Sequence, residues 1–215
     1  MKIKQLLILF LLFFSSFLMG TEEPEFNLIF KNENFEIREY YPKILAEVTM
    51  TGDFDDASSK GFKVLADFIF GNNLSVDGSS KINMTAPVVV EPISEKIDMT
   101  APVLAQGENK EWTISFVMPK KYSLDTLPKP KNKNIRIISL PSEKYATIVF
   151  SGLVRESSYE KQIRLLNNFV ANKNLVTLGQ VQIARYNPPW TLPFFRRNEL
   201  TVSYTHLRAH ETHEH

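Results

Sequence analysis

Two methionines stand in near-identical octets. Lys81–Val88 reads Lys-Ile-Asn-Met-Thr-Ala-Pro-Val, and Lys96–Val103 reads Lys-Ile-Asp-Met-Thr-Ala-Pro-Val. A thioether on an unbranched stem is polarisable and adapts to irregular apolar surfaces. Met84 and Met99 could therefore face one apolar pocket from two sides. The other reading is structural. Pro87 and Pro102 cannot donate to a strand ladder, so each marks an edge, a bulge or a bend. Ala86 and Ala101, preceding them, are pushed to extended geometry. Thr85 and Thr100 can bond nearby backbone where the ladder breaks. A hairpin turning at Glu91–Glu95 brings the octets side by side.

Other chemistry is excluded by what the chain lacks. There is no cysteine, hence no disulfide, thiolate metal site or cysteine nucleophile. The four histidines are His206, His210, His213 and His215, so Met1 to Thr205 offers no imidazole base or ligand. No Ser-His-Asp set, metal-ligand cluster or Gly-rich phosphate loop appears, and the sequence is not expected to encode an enzyme. Lys and Arg number 25 against 24 Asp and Glu, which gives no field for nucleic acid.

The elements around the octets follow from periodicity. Asn27–Phe30, Phe35–Tyr40 and Ile44–Met50 alternate as strands, with a hairpin turn at Asn32–Asn34. Asp53, Asp55 and Asp56 suit a helix start, and Ala57, Gly61, Leu65 and Phe68 recur at helical spacing to a stop at Gly71. Trp112, Ile114, Phe116 and Met118 mark a half-buried strand. "IRIISL" and "KYATIVFSG" read as a strand pair. Ser157 and Glu160 fit a capping box for a helix whose face is Tyr159, Ile163, Leu166 and Val170. "VQIARYN" and "NELTV" supply the last strands. A shift of one hundred residues superposes Gly52 on Gly152, Ser58 on Ser158, Leu65 on Leu165 and Asn72 on Asn172. The chain is thus expected to hold two β-α-β-β-like halves related by a pseudo-twofold.

The blocks "NFEIREY", "GDFDDASSKGF", the two octets, "WTISFVMP", "SGL" and "ARYNPPWTLPFFRRNEL" resemble the SOUL haem-binding protein family, its exported bacterial branch in particular. The resemblance runs from about Phe26 to Leu200. It implies an α+β fold: a distorted antiparallel β-barrel of two similar halves flanked by two helices, as in effector-binding domains. It also implies a haem or free porphyrin ligand without catalysis. Such a ligand needs an apolar slot, cations for two propionates and, optionally, axial ligands. Candidate walls are Phe62, Phe68, Met84, Met99, Trp112, Tyr186, Trp190, Phe194 and Phe195, and candidate cations are Lys60, Lys63, Arg185, Arg196 and Arg197. The residues expected to bind it are Met84, Met99, Phe62, Lys63, Tyr186, Trp190, Arg196 and Arg197. The bland readings are that Trp190 packs over the barrel end and that Arg196-Arg197 is a surface pair. Without a histidine ligand, axial ligation is expected from Met, from a tyrosinate such as Tyr186 or Tyr40, or not at all. The alternative function is a sensor or sequestering domain for another flat hydrophobic molecule.

Residues 1–20 read as an export signal: Lys2 and Lys4, then an apolar run from Leu6 to Met19. The run is short for a bilayer-spanning helix, so the periplasm is the expected location, with an uncleaved anchor as alternative. The domain is expected at 21–202, with 203–215 a disordered or non-native tail. The basic loop Lys120–Asn134 allows weak attraction to a membrane surface.

Overall fold

The computed structural model of the chain describes residues 22–75, 96–108, 110–188 and 190–206. The first octet with Met84, the Glu91–Glu95 turn, the export segment and 207–215 lie outside the described residues. Strands β1 (Phe26–Asn32) and β2 (Phe35–Tyr40) form the expected hairpin, with Glu33 at φ 51° in its turn. Then come β3 (Lys43–Thr51), helix α1 (Phe54–Ile69), β4 (Asn73–Leu74), β5 (Val103–Glu108) and β6 (Glu111–Val117). The second half supplies β7 (Lys129–Pro130), β8 (Arg136–Leu140), β9 (Glu143–Phe150), α2 (Glu156–Asn172), β10 (Leu175–Thr177), β11 (Gln182–Arg185) and β12 (Asn198–His206).

The strand order is β1-β2-β9-β12-β11-β5-β6-β3-β8, antiparallel throughout, with β10 on β12 and a separate β4-β7 pair. From β2 to β8 this order is a palindrome: β3, β5 and β6 exchange with β9, β11 and β12, and β2 with β8. That is the pseudo-twofold expected from the repeat. Gly52 and Gly152, both at positive φ (130° and 106°), precede the two helices at equivalent places.

The strand partners differ from the sequence expectation in one respect. Strands β8 and β9 do not pair with each other; β8 pairs with β3, and β9 with β2 and β12. Phe35 opposes Ile148 and Tyr40 opposes Glu143 in one ladder. Lys43 opposes Leu140 and Glu47 opposes Arg136 in the other. The two ladders share one register, so two long bent segments, broken at Tyr41-Pro42 and Pro141-Ser142, run antiparallel along each other. Together with the β5–β11 ladder, they curl the sheet into an α+β half-barrel with two helices.

The helices cover the outer face. Leu65, Phe68 and Ile69 of α1 pack on Ala46, Val48, Ile114 and Phe116. Leu166 and Val170 of α2 pack on Ile37, Ala146, Ile148, Leu200 and Val202. Each such large apolar side chain contributes roughly 1.5–3 kcal/mol on burial. Two helix starts differ in detail from the expected caps. The Asp53 side chain makes no capping bond, and the first turn instead carries Asp55 and Asp56 where the dipole is positive. At α2 the pivot is Ser158, not Ser157 with Glu160: its hydroxyl accepts the Arg155 N–H at 2.9 Å. Strand β12 runs on to His206, and Tyr204 is buried in the core, because β10 offers a partner for residues 204–206.

Candidate ligand-binding site

Alternation along the strands sends the other set of side chains to the inner face, and many are charged. Arg38, between Ile37 and Glu39 on β2, is 2 % exposed, and Glu199 of β12 is 1 % exposed. The Arg38 guanidinium donates to Glu199 at 2.6 and 3.0 Å, to Glu36 at 2.7 Å and to the Tyr40 hydroxyl at 2.9 Å. Glu199 also accepts from the Tyr186 hydroxyl at 2.9 Å and from Arg197 at 2.8 and 3.0 Å. Burial opposes the Arg38 charge, but the Glu199 bonds outweigh it and hold the guanidinium above its ordinary value. The signal was present in "FEIREY": Glu36, Arg38 and Tyr40 are spaced by two and must share one face of the strand.

Lys43, at the start of β3, sits where the bent segments cross. Its ammonium lies over the Tyr40 ring at 4.2 Å and the Tyr145 ring at 5.1 Å. Burial lowers its pKa to about 8, against the opposing pull of Glu143. Between that value and the ordinary lysine range the unfolded chain binds more protons than the folded one, so Lys43 makes stability rise with pH there. Replacing Lys43 with Met should therefore raise Tm at pH 7, and the gain over the parent protein should shrink above pH 8 and vanish near pH 10. Paired thermal melts across that range check it; a gain independent of pH refutes it.

Lys43 also lines an open cavity of about 520 Å³. Ile44, Val117, Met118, Pro119 and Leu124 give it apolar wall, and Tyr41, Tyr122 and Ser139 give it polar rim. Three carboxylates border it. Glu25 is bound by Lys120 at 2.7 Å, Glu23 by Arg197 at 3.0 Å, and Glu22 accepts the Lys120 N–H at 2.7 Å.

The second octet touches this cavity at Thr100. The Thr100 hydroxyl donates to the Val117 carbonyl. The Ala101 N–H donates to the Glu22 carbonyl at 2.9 Å, and a cis bond joins Ala101 to Pro102. For this copy the bend reading holds: the chain arrives irregular and becomes β5 at Val103. Met99 is exposed beside Thr100.

The other expected site residues divide among three places. Phe62 is exposed on α1, its ring edge-on to Phe116 at 5.4 Å, and Lys63 beside it is exposed. None of Met99, Phe62, Lys63, Tyr186, Trp190, Arg196 and Arg197 lines the open cavity. Tyr186 is half-buried on the inner face under the Arg197 guanidinium, 3.9 Å from its ring centre. Arg197 is not a free surface pair member, since Glu199 and Glu23 hold it. Arg196 donates to the Thr191 carbonyl at 2.8 Å. Trp190 does not pack over the barrel end; it is 82 % exposed. Sequence reasoning missed Lys43, Glu199 and Arg38, which bind the inner face together.

A second cavity, of about 330 Å³, lies on the concave face of the sheet. Leu45, Leu104, Ile138 and Leu140 line it, with Gln106, Gln182, Tyr145 and the carboxylates of Glu47 and Glu143. Glu47 is bridged to Arg136 at 2.9 Å, and Glu143 accepts from Tyr145 at 2.6 Å. Among the described residues no group of three or more acidic or histidine side chains could hold a metal ion.

Comparisons with known proteins agree with this architecture. A crystal structure of the EcmrR C-terminal domain superposes with a TM-score of 0.54 at 12% identity, covering 80% of this chain and 98% of that one. EcmrR in a cryo-EM complex with DNA gives 0.50 at 11% identity, over 80% of this chain and 57% of that one. A hydrolase from Listeria innocua gives 0.48 at 10% identity, over 89% and 96%. At these identities the first two establish the fold alone, and the third carries no argument. No curated protein matches the chain. The profile of the SOUL heme-binding proteins matches residues 21–203, which covers both halves, both helices and the residues that line the cavity, and the chain belongs to that family.

Proposed function

We propose that the protein is a non-catalytic carrier or scavenger of haem or free porphyrin that works outside the cytoplasm. Family membership supports the ligand class. The observation that carries the reading is the open cavity of about 520 Å³ touched by the second octet at Thr100, within the roughly 300–1,000 Å³ of small-molecule sites. Its apolar wall suits the ring and Lys43 on its border suits a propionate, while Lys120 reaches one only by leaving Glu25. Axial ligation is weak or absent. Burial pushes the Tyr40 and Tyr186 hydroxyls away from the tyrosinate form, and both are already hydrogen-bonded. The export-type segment ending near Met19 supports a periplasmic location, with retention through an uncleaved segment as the alternative.

Hemin titration tests this. Saturation near one per chain is expected, with a Soret band that lacks a bis-histidine signature and does not change when all four histidines are replaced by alanine. Ser139 is exposed at the cavity border, so Ser139→Trp fills the mouth without touching the core. It should weaken hemin at least tenfold, about 1.4 kcal/mol, while Trp190→Ser leaves it unchanged. The opposite pattern would sink the cavity assignment.

A second reading is favoured by the concave-face cavity. Among the described residues no lysine or arginine lines it, so it offers a propionate no cation and suits a flat apolar molecule that lacks one. Native mass spectrometry of the protein from its source, without added hemin, separates the two: a tetrapyrrole mass supports the first, another small-molecule mass the second.

A further inference from the structure

The segment between β11 and β12 exposes an unusual amount of apolar surface. Trp190 is 82 %, Phe194 66 % and Phe195 69 % exposed, and Leu192 beside them is exposed as well. Large apolar side chains clustered in this way mark an interaction surface. The segment is well tied down. Thr191 donates to the Pro188 carbonyl at 3.0 Å, Phe195 to Leu192 at 3.0 Å and Arg196 to Pro193 at 3.1 Å. Gly152 donates to the Pro193 carbonyl at 2.9 Å, and the Asn198 amide returns to the Gly152 carbonyl at 3.0 Å. The aromatic rings are thus held out from a rigid turn, a 3-10 helix at Pro193–Phe195, at one end of the sheet.

The position of the chain entry names the occupant. Glu23 is ion-paired with Arg197, at the base of this turn, at 3.0 Å. The apolar run Leu6–Met19 ends three residues before Glu22. Three residues span at most about 11 Å. Where the run is retained uncleaved in a bilayer, the Glu22-Glu23 edge and Arg197 at the base of the turn are held near the bilayer surface. The composition fits that site: tryptophan prefers the headgroup level, and the phenylalanines reach deeper. Among the described residues no helix is long and apolar enough to cross a membrane, so the turn would lie in the surface rather than span it.

We propose that Trp190, Leu192, Phe194 and Phe195 form a membrane-docking knuckle that seats this end of the half-barrel on a lipid bilayer. The ligand cavity, bordered by Glu23 and Glu25, then opens close to the lipid surface, a suitable position for exchanging an apolar ligand with it.

The test uses the full chain and vesicles of phosphatidylcholine and phosphatidylglycerol, some carrying brominated acyl chains. Trp112 is the only other tryptophan, so the difference between the parent protein and Trp190→Phe isolates the Trp190 emission. That emission is expected to shift to the blue on vesicle addition and to lose at least about half its intensity to brominated lipid, as for interfacial tryptophan. Phe194→Ser with Phe195→Ser should reduce the quenching at least twofold while far-UV circular dichroism stays unchanged. Three results overturn the proposal: no vesicle binding, binding with Trp190 unquenched and still solvent-exposed, or a blue shift that appears without lipid and grows with protein concentration, which assigns the knuckle to a second copy of the chain.

Discussion

Replacing Arg38 with methionine is expected to lower stability by about 3–5 kcal/mol, read as a fall in the urea midpoint at constant m-value. The size follows from what stays behind. Glu199 is almost wholly buried and loses two of its donors, while Glu36 keeps only Lys31, at 2.8 Å. Glu199 then rests on the part-exposed Arg197 and the Tyr186 hydroxyl alone, and a buried carboxylate that loses its buried cation costs far more than the pair itself contributes. Arg197→Met is the contrast. Its guanidinium is part-exposed, and Glu199 would keep Arg38, so the cost should be no more than about 1 kcal/mol. Removing Arg38 and Glu199 together should cost less than the two single changes summed, because they share one network. A loss under about 1 kcal/mol for Arg38→Met would mean that water reaches Glu199.

The same change alters the acid limb. Burial opposes ionisation of Glu36, but the bonds from Lys31 and Arg38 prevail and hold its carboxyl below the ordinary range. A depressed carboxylate stabilises above its unfolded pKa and loses that contribution as pH falls through the folded one. Without Arg38 part of this acid-sensitive stability disappears, so parent and variant should converge as pH drops below about 4. The network joins β2 to β12, to Tyr186 just past β11 and, through Arg197, to Glu23, which borders the cavity.

Most of the elements were legible, and the reasons are local. Phe35–Tyr40 and Trp112–Val117 alternate, Tyr159, Ile163, Leu166 and Val170 keep helical spacing, and Gly52 and Gly152 announce the repeat. Partner choice was not legible. "IRIISL" and "KYATIVFSG" look like a hairpin because a short Pro-Ser link joins them, yet that link is a bend in one long segment whose partner is the equivalent segment of the other half. Periodicity carries the face of a strand but not its neighbour. The end of β12 was hidden for a related reason: Ser203, Thr205 and His206 look like tail, and only pairing with Tyr145 and β10 makes them strand. Of the site, Thr100 was correctly read as a backbone-bonding residue, whereas Lys43 carried no signal, since a lysine at a strand start is usually solvated. Trp190 misled because a tryptophan between prolines was read as packing over the barrel end, whereas it is exposed.

The second large effect is expected at Gly61, on the buried face of α1. A Cβ added there would stand 2.7 Å from Cγ1 and 2.9 Å from Cβ of Ile114 on β6. Ile114 is wholly buried, with Leu65, Phe68 and Phe116 packed around it, so it has nowhere to move. Gly61→Val should therefore push the helix off the sheet at a cost of about 3 kcal/mol. Gly61→Ala should cost less, because alanine's helix propensity, about 1 kcal/mol better than glycine's, offsets part of the clash. Gly179→Ala is the control: its nearest neighbour is the Ser203 hydroxyl at 3.8 Å, and the change should stay within about 0.5 kcal/mol. Urea unfolding of the three variants checks the order. The same alanine variant bears on the ligand. Lifting α1 moves Phe62 away from Phe116 but leaves the Lys43 cavity, which α1 does not line, as it was. A loss of hemin affinity in folded Gly61→Ala therefore means that the ring reaches over Phe62, and an unchanged affinity confines it to the cavity.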